Sequence, residues 1–250
     1  MSEEIKFQTL IVDLPSKGKL YPPENPLSTG EVELKYGSAI EENILLNDYF
    51  ISKKIVFDKL LESLIINKSI NTDDLFGGDR NCLLIHARRA MYGDEYKAKI
   101  VCPNCKEKHE ITVDLSTLVP YPIDDNIESN SFIHKSKSGD VFTYHILNSK
   151  EEKTLNDSIK NYHKKTMNNS QDLTVRLSAM IDSINDIKDE MGKRNFINSM
   201  SSIDILSLRK EIIQNTPDID MRIDFACSEC DFEDKATIPI DLDFFWITGR

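Results

Sequence analysis

The chain has 250 residues, enough to bury a core without external staples, and its 31 basic against 42 acidic residues give a formal charge of −11 at pH 7. That balance argues against a surface built to neutralise phosphates, so nucleic acid is not expected as a partner. No apolar run approaches the roughly 18 residues needed to cross a bilayer, and no basic start leads into an apolar export signal, so the sequence reads as soluble and cytoplasmic with no membrane partner.

The opening IKFQTLIVDLPSKGKLYPPENP predicts a strand and then a loop, because Pro15, Gly18, Pro22, Pro23 and Pro26 leave no room for helix. EVELKY alternates as a strand with Val32, Leu34 and Tyr36 on one face. Ser38 and Glu41 have the spacing of a capping box, which predicts a helix beginning near Ala39. FDKLLESLII and DRNCLLIHARRAMYG read as two further helices, the second capped by Asp79 and closed by Gly93. Inside it, Cys82 reads as a small core hydrophobe, and Arg88 and Arg89 as a solvated face.

Five cysteines is an odd number, and four of them fall in two C-x-x-C pairs, Cys102/Cys105 and Cys227/Cys230. Without an export signal that pattern favours a metal over disulfides. The flanks repeat as well. Tyr96, Ala98 and Ile100 alternate before the first pair as Met221, Ile223 and Phe225 do before the second. Ile111, Val113 and Leu115 follow Cys105 at the offsets at which Ala236, Ile238 and Ile240 follow Cys230. Each copy is a strand, a turn and a returning strand, a zinc knuckle that supplies two thiolates. Tetrahedral zinc takes four, so two knuckles face to face make one four-cysteine zinc ribbon, with residues 106–226 as an insertion whose closure cost grows only slowly with length. A closed four-thiolate site has no open position to activate water, and its expected role is structural. Three rivals remain. His109 could be a third ligand, although it lies where an exposed strand residue is expected. Thioredoxin-like chemistry would need a helix after each pair, where strands alternate instead. Two separate sites could be completed by other subunits.

Residues 116–130 are polar and proline-bearing and read as an exposed connection. SFIHKSKSGDVFTYHIL predicts a hairpin turning at Ser138-Gly139-Asp140. Ser149 and Glu152 repeat the capping-box spacing and open a helix to about Lys164. Leu173, Leu177, Met180, Ile181, Ile184 and Ile187 fall on one helical stripe, and IDILSLRKEIIQN is a last helix that stops before Pro217. His134, His145 and His163 have no ligand spacing and read as ordinary polar residues. No catalytic constellation is present, and FGGDR is too short for a phosphate loop, so neither an enzyme nor a small-molecule substrate is expected. The expected fold is α+β. Residues 1–95 form an N-terminal α+β region, 96–115 and 219–241 the two halves of a zinc ribbon, 116–218 a mostly helical insertion with a β-hairpin, and 242–250 an aromatic tail.

LPSKGKLYP, DLFGGDRNCLLIHARRAMYGDEYKAKIVCPNC, and CSEC followed by IPIDLDFFW occur in that order. With them the chain resembles the T4-type bacteriophage baseplate hub assembly proteins, the baseplate and tail-assembly chaperones of contractile-tailed phages. The shared positions are Gly78, Asp79 and Arg80, then Tyr92, Gly93, Glu95 and Tyr96, and the four paired cysteines. The resemblance implies a non-catalytic protein acting by contact with phage baseplate hub or tail proteins. It would be either a chaperone-like assembly factor in the host cytoplasm or a component kept in the tail baseplate of the virion. Candidate contact residues are Phe245 and Trp246 near the chain end, and Tyr21 and Pro22 in the proline-rich loop, which reads as stiff, exposed and able to dock with little entropy loss. The alternative is a zinc-ribbon nucleic-acid-binding regulator. It needs a basic stripe, which Lys97, Lys99, Lys106 and Lys108 of one knuckle offer but Asp224, Glu229, Asp231, Glu233 and Asp234 of the other do not.

Overall fold

The computed structural model describes residues 8–166 and 172–245, a mixed α+β fold of small antiparallel sheets and short helices packed around one hydrophobic core. Strands β1 (Thr9–Asp13) and β2 (Glu31–Lys35) pair antiparallel, and Val12, Val32 and Leu34 turn inward as the alternation requires. Helix α1 (Ala39–Leu45) opens on the expected capping box, in which Ser38 and Glu41 bond reciprocally. Helix α2 (Asp48–Ser52), capped by Asn47, was not expected because five residues are too few for a helical period to register. Helix α3 (Val56–Leu64) buries Leu60, Leu61 and Leu64.

Helix α4 (Gly77–Tyr92) is the spine, and it corrects three sequence expectations. It starts earlier than the motif suggested, at the N-cap Phe76, so Asp79 lies in the first turn instead of capping it. From there the fully buried Asp79 carboxylate accepts the Ser16 N–H at 2.9 Å and the Tyr21 hydroxyl at 2.6 Å. The proline-rich loop is therefore locked onto α4 instead of standing exposed. Leu14, Pro15, Ser16, Leu20 and Tyr21 are buried, and Lys17, Pro22, Pro23 and Glu24 are its exposed residues. Arg88 is also buried and not solvated. It donates to the carbonyls of Phe244 at 2.9 Å and of Gly93 and Glu95 at 3.3 Å each, with its guanidinium 4.8 Å from the Tyr92 ring centroid. A helical period cannot show that the end of the chain returns to cover that face. Arg89 pairs with Asp94 at 2.6 Å.

Strands β3 (Glu95–Val101) and β4 (Lys108–Asp114) form a hairpin directly after α4. Strand β5 (Pro120–Tyr121) crosses the expected connection and pairs with β9 (Asp218–Ile219). The hairpin of β6 (Phe132–Lys135) and β7 (Val141–Tyr144) is as expected, but it gains a third strand. Helix α6 (Asp172–Met180) ends before the apolar stripe does, and Ile181 and Ile184 belong to strand β8 (Ile181–Ile184) against β7. β-branched isoleucines favour that extended state, and a neighbouring edge was available to pair. Helix α5 (Ser149–Thr166) is capped one residue earlier than expected, by Asn148 with Glu151. Ser149 instead donates to the Leu75 carbonyl and Glu152 pairs with Arg176.

Helices α7 (Glu190–Ser199) and α8 (Ser202–Asn215) lead to β9 and then to a second hairpin, β10 (Arg222–Ala226) and β11 (Glu233–Thr237). The short α9 (Leu242–Phe245) closes the described chain and buries Phe244 and Phe245. Among the described residues no helix is long and apolar enough to cross a membrane.

Candidate metal centre

The two hairpins are one local design used twice. Val101 pairs with Lys108 as Ala226 pairs with Glu233, so each C-x-x-C turn spans the same register. In each, the first cysteine's N–H closes the turn on a carbonyl five residues ahead, Cys102 to Glu107 and Cys227 to Phe232, both at 2.9 Å. In the first turn Lys106 takes φ 66°, and its N–H bonds the Cys102 carbonyl at 3.0 Å.

Helix α4 positions both. Its C-terminus passes through Gly93 into β3, and Arg88 bonds the first carbonyl of that strand, that of Glu95. Its N-terminus abuts the segment that leads to β10: a Cβ on Gly78 would lie 2.0 Å from the Pro217 carbonyl oxygen, and Asn81 bonds Asp218 at 3.2 Å. Glycine is needed at that approach because any side chain would force β9 away.

The hairpins thus meet face to face. Cys102 Sγ lies 3.8 Å from Cys230 Sγ, Cys105 Sγ lies 3.6 Å from Cys227 Sγ, and all four sulfurs are within 4.8 Å of one another. All five cysteines are free thiols. A tetrahedron of sulfurs at about 2.3 Å from a zinc ion has edges of about 3.8 Å, so the donor set and its spacing fit a thiophilic divalent cation. The four cysteines can hold a metal ion. They are the residues that the sequence pairing singled out, brought together from positions 102 to 230.

Ionisation is uneven across the cluster. Desolvation opposes ionisation of Cys102, but the backbone N–H groups of Cys105 and Asn104 outweigh it and hold the thiol down at about 7. At Cys105 the Glu107 backbone favours the thiolate. Desolvation and the sulfurs of Cys227, Cys102 and Cys230 overcome it and push the thiol up to about 12. Cys227 is raised, chiefly by desolvation. The Cys102 thiolate forms readily, whereas those of Cys105 and Cys227 are favoured by a positive charge beside them. Cys82, away from the group, is buried in the core with its thiol pushed up to about 12 by burial, and bonds the Asp13 carbonyl at 3.5 Å.

Two neighbours of the sulfurs were not picked out by the motif. The Asn104 side chain, inside the first turn, donates to Cys230 Sγ at 3.5 Å across the interface. His109 Nε2 lies 3.2 Å from Cys227 Sγ. Its place four residues after Cys105 was the one available signal. Of the other four histidines, His86 bonds the Cys82 carbonyl at 3.0 Å, and three pair with carboxylates, His134 with Glu211, His145 with Asp182 and His163 with Asp172.

The four candidate partner residues fare differently. Tyr21 is buried against Asp79, and Phe245 is buried with its ring 5.5 Å from that of Phe57. Pro22 is exposed, and Trp246 lies outside the described residues.

The family model of the T4 bacteriophage base plate protein matches residues 8–246. No curated protein and no solved structure matches the chain.

Proposed function

The chain belongs to the T4 bacteriophage base plate protein family, and on that premise we propose that it builds the central hub of the baseplate by protein–protein contact, without catalysis. In this reading Cys102, Cys105, Cys227 and Cys230 hold a structural zinc ion. The ion closes a ribbon whose halves, 96–115 and 219–241, clamp the insertion 116–218 to the N-terminal region 1–95. The baseplate reading rests on the family match, and the metal reading on the convergence of four sulfurs from two distant hairpins within 4.8 Å of one another. A closed four-thiolate site supplies folding energy and no reaction, which suits a protein whose output is a fixed surface. The partners are hub or tail proteins, met in the host cytoplasm during assembly. The exposed Pro22 and the C-terminal Trp246 are the residues proposed to touch them.

Elemental analysis of the purified full chain should find one zinc per chain, and less than a tenth of that in Cys227→Ser. Mass spectrometry of purified particles beside a pull-down from infected cells tests the role. Recovery with hub proteins in either sample supports the hub assignment, with presence in particles marking a retained component and presence only in intermediates an assembly factor. Absence of hub proteins from both would overturn it.

A further inference from the structure

Cys227 Sγ has a ring nitrogen nearer to it than the thiol it faces. His109 Nε2 is 3.2 Å from Cys227 Sγ, nearer than the 3.6 Å and 3.8 Å sulfur pairs. The ring is fixed from both hairpins: its backbone pairs with Ile100 in the β3–β4 register, and its edge rests on Phe225 of β10 at 5.3 Å between centroids and 65° between planes. His109 is not a member of the group whose donor atoms all lie within 4.8 Å of one another, so it addresses one sulfur instead of the centre of the cluster.

A metal-bound thiolate carries no proton, so a hydrogen on the Nε2 to Sγ line belongs to the imidazole. We propose that His109 is a positioning residue of the metal centre, its Nε2–H donating to the Cys227 thiolate, where the Glu229 backbone N–H adds a second donor at 3.4 Å. This rests on the metal reading above. Four thiolates around a divalent cation leave two net negative charges, and an N–H···S bond draws charge off one sulfur and orients its lone pairs. The bond also ties β4 to the turn after β10, so the ring couples the hairpins as well as tuning the sulfur.

The test uses the full chain loaded with Co²⁺, whose sulfur-to-metal charge-transfer bands report on each thiolate. His109→Phe should keep tetrahedral ligand-field bands and a native circular dichroism spectrum, while its charge-transfer bands move to longer wavelength because an unbonded thiolate is a better donor. Zinc transfer to a chromophoric chelator should speed up about tenfold, the lower end of the range typical for loss of an outer-shell partner of a metal ligand. His109→Gln, which keeps an amide donor, should recover part of both effects, a rescue that mere space-filling by the ring would not give. Unchanged charge-transfer bands and release rate in His109→Phe would overturn the proposal. So would a Cys227→Ser protein that keeps tetrahedral cobalt only while His109 is present, since His109 would then be a ligand. Failure of the wild-type chain to bind Co²⁺ or zinc would instead remove the metal reading beneath it.

Discussion

Strands β3 and β4 bury Tyr96, Ala98, Ile100 and Val113, and their base is tied to the body by Arg88 on the Glu95 carbonyl and by the Leu115 N–H on the Asp94 carbonyl at 2.9 Å. Strands β10 and β11, of the same register, fully bury Phe225 alone and carry Asp224, Glu233, Asp234 and Lys235 outward. One hairpin belongs to the core and the other is a clip laid against it. Their charges differ as well: Lys97, Lys99, Lys106 and Lys108 of the first are balanced by Glu95, Glu107, Glu110 and Asp114, whereas Asp224, Glu229, Asp231, Glu233 and Asp234 leave the second acidic. A local pattern can therefore be identical in two places while its stability comes from packing in one and, on the metal reading proposed above, from an ion in the other.

The largest expected effect breaks that contrast at its centre. Removing the metal by chelation, or by Cys227→Ser, should raise amide exchange across residues 222–237 far more than across 95–114. The melting temperature should fall by about 10 °C or more, given that structural zinc contributes roughly 10 kcal/mol in isolated knuckle peptides and that about 1 kcal/mol shifts a chain of this size by roughly 3 °C. Equal protection in both hairpins after metal loss would end the distinction. Gly78→Ala comes next. Its Cβ would meet the Pro217 carbonyl at 2.0 Å, so β9 must move, at a cost of about 3 kcal/mol. Because β9 leads into β10, the variant should also lose zinc to a competing chelator more easily, whereas its β3–β4 exchange stays as in the wild type.

Asp79→Ala sharpens the comparison from the other side. It strands the buried Ser16 N–H and Tyr21 hydroxyl, which should cost about 2 kcal/mol in urea unfolding with full zinc content retained. Burial, the dominant influence, raises the Asp79 carboxyl above its ordinary value despite those two bonds. Asp79→Asn should therefore cost less than Asp79→Ala. The smallest effect is a pH dependence remote from the ribbon. Desolvation opposes ionisation of Glu41, but bonds from Lys35, Ser63 and Ser38 prevail and hold it at about 2 against an ordinary 4.5. A depressed carboxyl stabilises the fold fully above pH 4.5 and loses that contribution as pH falls toward 2. Urea melts of Glu41→Gln should accordingly show a shallower decline than the wild type between those two values. Parallel declines would remove Glu41 from the acid response.

Much of this was legible in the order of residues. Period-two alternation gave β2 and all four strands of the two hairpins, the capping box of Ser38 and Glu41 gave the start of α1, and the repeated offsets around two C-x-x-C pairs gave the four cysteines that converge and their common register. These signals are local: each depends on backbone geometry and side-chain direction within a few residues. The tertiary structure alone decided the rest. It buried Asp79 under the proline-rich loop, covered Arg88 with the returning chain end, turned Ile181 and Ile184 from a helical stripe into a third strand, and set His109 against Cys227. In each case the deciding partner lies far away in sequence. A charge or a β-branched residue looks the same in a string whether its partner is water or a distant carbonyl, and burial is a property of the packed whole that no local period encodes.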